Sequence, residues 1–170
     1  MTLFFYNLFL RLYYTGIWIA SAFNPRARLW MEGRRSIFNR LEKAMYSHSA
    51  PLIWMHCSSL GEFEQGRPLL EMVKENHPSH KILITFFSPS GYEIRKNYEG
   101  ADFVFYLPAD SKSNARRFLQ IVKPVLVLWV KYDYWYYYLS TLRQNNIPVL
   151  LVSGLFRIDQ PFFKWYGKLY

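Results

Sequence analysis

The feature that most constrains the fold is a regular alternation in the last two thirds of the chain. From position 51 onward, short apolar runs rich in β-branched and aromatic residues alternate with stretches that have helical spacing. The apolar runs are too short for typical helices and predict five strands, at 52–56, 81–87, 103–107, 125–130 and 148–152. Strands that alternate with helices form parallel sheets with right-handed crossovers. The sequence therefore predicts an α/β fold built on a Rossmann-like parallel sheet.

Polar residues that follow the predicted strands form the candidate site, because ligands of open parallel sheets bind beyond the carboxyl ends of the strands. After the first strand, Ser59 and Gly61 precede a helix. Ser can cap the helix, Gly permits a tight turn, and free N–H groups at the helix start can hold an anion. The glycine spacing matches neither the dinucleotide fingerprint nor a Walker loop, which argues against both nucleotide-binding motifs.

Glu62 follows in the first turn of the same helix, at the edge of the predicted sheet. A carboxylate there can accept a proton from an alcohol if the geometry is suitable. The alternative is that Glu62 is an acidic residue that complements the helix dipole, and the local sequence by itself favours this alternative.

Two further strand ends carry candidate binding residues. Ser88 precedes Pro89 at a predicted helix start, and together with Ser90 and Gly91 it could contact a sugar or phosphate or simply cap the helix. Asp133 follows the fourth strand in an aromatic run that could stack on a sugar ring, face lipid, or pack in the core. No histidine has metal-ligand spacing with a supporting third group, so no metal site is expected.

Residues 1–23 are predicted to form a membrane-anchor helix, because positions 3–23 are mostly apolar and about 20 residues can span a bilayer. Arg11 argues against a simple lipid-facing span, and Asn7, Arg11 and Thr15 share one helical face. The helix could therefore cross the membrane or lie in its interface. The alternative is an amphipathic helix packed on the protein's own core.

Residues 24–50 are predicted to be a basic juxtamembrane segment that faces the cytoplasm. The segment contains five arginines against two acidic residues, and the arginines are Arg26, Arg28, Arg34, Arg35 and Arg40. The whole chain has a net charge of +9 and is 20% aromatic. Anionic lipid explains both features together, whereas no stacking, zinc-finger or recognition-helix pattern supports nucleic acid as a partner. A single cysteine excludes a disulfide framework and fits a reducing cytoplasm.

Three motifs, taken in order, resemble those of one family. Residues 56–63 are similar to an H-x-x-S-x-G-E signature, residues 88–91 to a Thr/Ser-Pro-Thr/Ser-Gly motif, and residues 106–110 to a Tyr-Leu-Pro-x-Asp motif. The apolar start and the region around Arg34 also match. The chain thus resembles the 3-deoxy-D-manno-octulosonic acid (Kdo) transferases of lipopolysaccharide synthesis.

The resemblance implies a GT-B glycosyltransferase with two Rossmann-like domains, in which residues 51–170 are the N-terminal acceptor domain. Such an enzyme transfers Kdo from CMP-Kdo to the lipid A precursor, without metal or cofactor, at the cytoplasmic face of the inner membrane. Glu62 corresponds to the general base that acts on the acceptor hydroxyl, and Gly61 with its neighbouring amides to the wall of the site. The basic segment, including Arg34 and Arg35, would meet the acceptor's phosphates.

Residues 130–136 depart from the pattern Met-Glu-Thr-Glu-Leu-Trp-Pro found in many relatives, because Lys131 replaces an acidic residue and Tyr136 replaces the proline. No acidic role is therefore assigned to Lys131. The chain ends at Tyr170, where the family continues into a donor domain, so we expect no Kdo transfer by this chain unaided. The alternative functions are a non-catalytic, membrane-attached module that binds anions or phospholipid and, last, a nucleic-acid-binding domain.

Overall fold

The structure, a computed structural model, describes residues 2–46, 49–131 and 133–154. Three helices come first, and strands and helices then alternate to the end of the described region. The helices are α1 (Thr2–Ala20), α2 (Pro25–Arg34), α3 (Ile37–Met45), α4 (Leu60–Asn76), α5 (Pro89–Arg95), α6 (Lys112–Val122) and α7 (Tyr136–Gln144). The strands are β1 (Leu52–Cys57), β2 (Lys81–Phe86), β3 (Phe103–Tyr106), β4 (Leu126–Val130) and β5 (Val149–Val152).

All five strands are parallel and lie in the order β3-β2-β1-β4-β5. The predicted α/β fold with a parallel sheet is confirmed, and each predicted strand is correct to within one residue at either end. From β1 the chain adds β2 and β3 on one side of the sheet and then β4 and β5 on the other, so the topological switch point lies between β1 and β4. Open parallel sheets bind ligands at such a point, outside the carboxyl ends of the strands.

The sheet has a hydrophobic core on each face, which explains why β1 is buried along its whole length. Successive residues of β1 alternate between the two cores, so Trp54 packs with Phe118 of α6 and Tyr138 of α7, while Met55 packs on the opposite face with Phe63 of α4. Both layers of helices therefore hold the central strand, and the polar groups that follow it stand on a rigid support.

Two helices occupy the segment that was expected only to be basic. Asn24 caps α2 by accepting hydrogen bonds from the N–H groups of Arg26 and Ala27, with Pro25 in the first turn. In α3, Ile37, Leu41 and Met45 recur every four residues and are all buried in the core. The charge of the segment is conspicuous in the sequence, and it obscures this apolar spacing.

Helix α1 packs on the domain through part of its surface only. Leu10 is buried and Asn7 is half-buried, whereas Arg11 and Thr15 are exposed, so these polar residues do not share one environment. A set of large apolar side chains on α1 is exposed, namely Phe4, Phe5, Phe9, Leu12, Trp18 and Ile19. Across the ranges that the structure describes, no helix combines the length and the apolar character needed to cross a membrane.

Candidate functional site

The segments that leave β1 and β2 are joined by hydrogen bonds at the carboxyl edge of the sheet. The Ser88 N–H donates to the Ser58 carbonyl at 2.8 Å, and the Phe87 N–H donates to the Cys57 carbonyl at 3.3 Å. The structure therefore brings together Glu62 after β1 and the Ser88 segment after β2, as the sequence predicts for neighbouring parallel strands.

Glu62 lies in the first turn of α4 and folds back over the end of β1. Its Oε2 atom accepts a hydrogen bond from the Ser58 N–H, and the Ser59 N–H also stabilises the carboxylate. Ser59 precedes the helix, but its own side chain does not cap it, so the expectation of a serine cap is wrong at this helix. The carboxylate of Glu62 has taken over that role, which fixes its orientation.

The charge state of Glu62 is set by opposing effects. Burial raises the pKa of Glu62, and the nearby Asp133 carboxylate raises it further. The N–H groups of Ser58 and Ser59 and the Lys131 ammonium oppose this by lowering the pKa. Asp133 is itself half-buried, and burial raises its pKa as well. The site thus holds two partly buried carboxylates and one cation at the ends of β1 and β4.

Gly61 is exposed in the first turn of α4, and a Cβ atom added there would meet no other atom within 4 Å. Its φ angle is not positive, so the tight-turn interpretation of this glycine is wrong. What the glycine provides is open space beside Glu62, where a ligand can approach the backbone.

The residues after β2 divide into exposed and buried ones. Ser88 caps α5 as predicted, because its Oγ accepts the Ser90 N–H at 3.2 Å, and the two hydroxyls are 3.0 Å apart. Ser90 is exposed, whereas Gly91 is buried, and a Cβ atom there would collide with the ring of Phe86. Gly91 therefore allows α5 to approach β2 closely, and its predicted contact with substrate stays a prediction.

Arg34 lies inside the same edge rather than on its surface. Its guanidinium donates to the carbonyls of Phe87 at 2.7 Å, Leu107 at 2.9 Å and Trp30 at 3.1 Å. It also stacks 3.7 Å from the ring centroid of Trp30. Burial lowers the pKa of Arg34 to about 9, so the side chain remains charged at neutral pH. These contacts tie α2 to the ends of β2 and β3.

Arg35, the next residue, is exposed and lines an open cleft of about 850 Å³ between α2, α3 and the β3–α6 connection. Arg117 of α6 lines the same cleft, whose walls are mostly apolar. Glu62 does not line it. The two predicted phosphate-binding arginines thus differ: Arg34 is held by carbonyl groups at one wall of the cleft, whereas the Arg35 side chain is exposed in it.

Asp110, to which the sequence assigns no function, connects three parts of the edge. Its carboxylate accepts the N–H groups of Tyr137 and Tyr138, both at 3.2 Å, and so caps α7. It also accepts the Tyr6 hydroxyl of α1 at 2.5 Å, while the Asp110 N–H donates to the Tyr14 hydroxyl at 3.0 Å. The signal in the sequence was an acidic residue at the end of the motif at 106–110, in the connection between β3 and α6.

Comparison with known proteins identifies the family of this chain. A family model described as 3-deoxy-D-manno-octulosonic-acid transferase (kdotransferase) matches residues 31–168, which is most of the chain. The chain belongs to the Kdo transferase family. The resemblance predicted from the three motifs is therefore confirmed.

Individual relatives agree with the family match. The 3-deoxy-D-manno-octulosonic acid transferase of Haemophilus influenzae is 28% identical over 118 residues, which cover 69% of this chain and 27% of the relative. The enzyme of the same name from Aquifex aeolicus is 30% identical over 103 residues, covering 60% of this chain and 28% of the relative. A bifunctional glycosyltransferase/methyltransferase of Fusobacterium nucleatum is 31% identical over 121 residues, covering 69% of this chain and 18% of the relative. The chain thus spans about a quarter of the length of the curated Kdo transferases it matches.

Proposed function

We propose that this chain supplies the acceptor site and the catalytic base of a GT-B glycosyltransferase that transfers Kdo from CMP-Kdo to the lipid A precursor. The observation that carries the proposal is Glu62, a half-buried carboxylate held in a fixed orientation at the end of the central strand of a Kdo transferase family member. Residues 51–170 correspond in this proposal to the N-terminal domain, and the donor site belongs to the part of the relatives that the chain does not cover.

In the proposed reaction a hydroxyl oxygen of the acceptor attacks the anomeric carbon of Kdo. The bond from that carbon to the phosphate oxygen breaks, CMP leaves, and the hydroxyl proton passes to Glu62. Oε2 of Glu62 is fixed by the Ser58 N–H, which limits the positions from which the carboxylate can receive the proton. Burial raises the pKa of Glu62, and a carboxylate with a raised pKa is the stronger base.

The surrounding residues suit a sugar acceptor that carries phosphates. Ser88 and Ser90 present hydroxyl groups next to Ser58, and the open space at Gly61 admits a sugar ring beside Glu62. Arg35 offers an exposed cation for a phosphate in the cleft, and Arg117, which pairs with Glu42 at 2.9 Å, lines the same cleft. In this assignment Asp133 accepts hydrogen bonds from sugar hydroxyls, and no metal ion or cofactor takes part.

The test is a chimera in which residues 31–154 of this chain replace the corresponding part of the Haemophilus influenzae relative. We expect Kdo transfer by the chimera, and we expect Glu62→Gln to reduce kcat by at least about 100-fold, since a positioned base contributes about 10²–10⁴-fold. Glu75→Gln is the matched control, because Glu75 is an exposed residue of the same helix. Equal activity of the two variants would show that Glu62 is only a helix cap.

We also propose that α1 lies on the cytoplasmic face of the inner membrane. Its exposed side chains Phe9, Leu12 and Trp18 provide apolar surface for the interface, and Arg11, Arg26 and Arg28 are exposed for anionic headgroups. The support for this proposal is that α1 and the first turn of α2 expose apolar and cationic side chains together.

Co-sedimentation with vesicles measures this attachment. We expect binding to vesicles with anionic lipid and weaker binding to neutral ones, and Phe9→Ser with Leu12→Ser to lower the affinity by about 10-fold or more through lost apolar burial. Vesicle binding by the chain, combined with transfer activity of the chimera that does not depend on Glu62, would favour the alternative, a membrane-attached module that binds anionic lipid.

A further inference from the structure

A lysine follows β4 at the same edge of the sheet as the Glu62 carboxylate, and its charge acts on that carboxylate. β1 and β4 are parallel neighbours whose register pairs His56 with Trp129, and Ser58 and Lys131 each lie two residues beyond that pair, at the carboxyl ends of the two strands. Ser58 is the residue whose N–H binds Glu62. The pairing of the two strands therefore brings Lys131 and Glu62 to one point of the sheet edge.

The backbone at Lys131 has an unusual conformation that is held in place. Its φ angle is 63°, in the left-handed region that residues with a side chain rarely adopt. The Lys131 N–H donates to the Val152 carbonyl of β5 at 2.9 Å, so the residue is fixed by its neighbour in the sheet. Non-glycine residues in such conformations are concentrated at functional sites, where the surrounding structure maintains them.

The charges around Glu62 come from two elements. Asp133, after β4, and Cys57, at the end of β1, are the titratable groups that face it besides Lys131. Asp133 also interacts with Tyr13 of α1. The Asp133 carboxylate disfavours the ionised form of Glu62, and in the described part of the chain Lys131 is the cation that acts on Glu62.

We propose that Lys131 is a positioning residue for Glu62, whose ammonium offsets the Asp133 charge and keeps the Glu62 carboxylate ionised and ready to accept a proton. Without this cation, only the Ser58 and Ser59 N–H groups oppose burial and the like charge of Asp133, so a larger fraction of Glu62 is protonated and cannot act as a base. The catalytic consequence rests on the proposed function, whereas the electrostatic link between Lys131 and Glu62 does not.

The closing experiment measures that link directly in the chain itself. The ¹³C chemical shift of the Glu62 side-chain carboxyl is followed against pH by NMR, with Glu62→Gln used to assign the signal. We expect Lys131→Met to raise the titration midpoint of Glu62 by about one pH unit, since a nearby opposite charge shifts a carboxyl pKa by about 1–3 units and this site is only half-buried. Lys131→Arg keeps the charge and is expected to restore the midpoint.

Two further variants secure the result. Lys131→Gly removes the ammonium and also suits the left-handed backbone, so it tests the charge even if Lys131→Met folds poorly. Lys43→Met is the matched control, because Lys43 is exposed in the last turn of α3, which leads to the opposite edge of the sheet. An unchanged midpoint in both Lys131→Met and Lys131→Gly would overturn the proposal.

The consequence for catalysis is read from the pH profile of the chimera. We expect the acid limb of kcat/KM to move to higher pH in Lys131→Met by the same shift that NMR measures, with no movement in Lys43→Met. If the midpoint shifts but Glu62→Gln retains full transfer, the electrostatic link stands and the proposed function fails. If the midpoint does not shift while Glu62→Gln abolishes transfer, the proposed function stands and Lys131 has no part in it.

Discussion

Adjacent arginines in this chain have different physical roles, although the sequence groups them as one basic pair. Arg34 satisfies three carbonyl groups and stacks on Trp30, whereas Arg35 is exposed in the cleft. A guanidinium buried among carbonyls is part of the structure, because its removal leaves those acceptors without a donor. An exposed guanidinium is free to meet a ligand.

The two arginines allow a matched prediction. We expect Arg34→Met to lower the free energy of unfolding by about 3 kcal/mol, since a hydrogen bond to a charged group contributes about 1.5–3 kcal/mol and Arg34 makes three of them. Arg35→Met should change it by less than about 0.5 kcal/mol, as surface substitutions usually do, but should weaken binding of the lipid A precursor. Urea unfolding and vesicle binding measure both effects. Equal stability of the two variants would contradict the structural role of Arg34.

At the level of elements, α1 and α7 are linked through one carboxylate. Asp110 caps α7 through two N–H groups and accepts the Tyr6 hydroxyl of α1, and the Tyr137 hydroxyl donates to Asn7 Oδ1 at 2.8 Å. Burial raises the pKa of Asp110, and the Tyr6 hydroxyl and the two N–H groups oppose this rise. Docking of α1 therefore helps to keep the cap of α7 charged.

Tyr6→Phe tests this link between the elements. We expect it to lower the free energy of unfolding by about 1.5–3 kcal/mol, the range for a hydrogen bond to a charged group, and to speed amide hydrogen exchange in α1. Tyr13→Phe is the control, because no hydrogen bond of the Tyr13 hydroxyl is seen among the described residues, although its ring stacks on Phe87. Exchange in α1 that is equally slow in both variants would count against docking through Asp110.

The elements also show what the sequence could and could not reveal. The strands were predictable because Ile53, Ile82 and Val127 belong to apolar runs that are covered on both faces, and this pattern needs no knowledge of partners. Helix α3 was missed because Leu41 and Met45 are dispersed among charged residues. Glu62 was found through the family motif, whereas its bonds back to the Ser58 and Ser59 N–H groups could have been expected from the capping-box spacing of Ser59 and Glu62.

For the whole molecule, stability in acid depends on a histidine in the centre of the sheet. His56 is fully buried in β1, and its Nδ1 lies 2.9 Å from Thr85 Oγ1, which also accepts the Trp54 indole N–H at 2.8 Å. Burial lowers the pKa of His56 from 6.5 to about 3, so the ring is neutral in the folded protein over most of the acid range. The unfolded chain, in contrast, takes up a proton at this residue near its ordinary pKa.

The sign of the effect follows from proton linkage. Between pH 6.5 and about 3 the unfolded state binds one more proton at His56 than the folded state, so the free energy of unfolding falls as the pH falls. We expect this residue to contribute about 1.4 kcal/mol per pH unit across that window, and His56→Asn to remove this part of the slope whatever its effect on stability at neutral pH.

Urea unfolding at a series of pH values measures the slope, with His77→Asn as the control because His77 is exposed at the end of α4. The carboxylates whose pKa is raised by burial, Glu62, Asp110 and Asp133, act in the opposite direction, but they are common to all three proteins and cancel in the comparison. Parallel slopes for the wild type and His56→Asn would mean that the folded protein admits a proton at His56, and hence that the centre of the sheet opens in acid before the molecule unfolds.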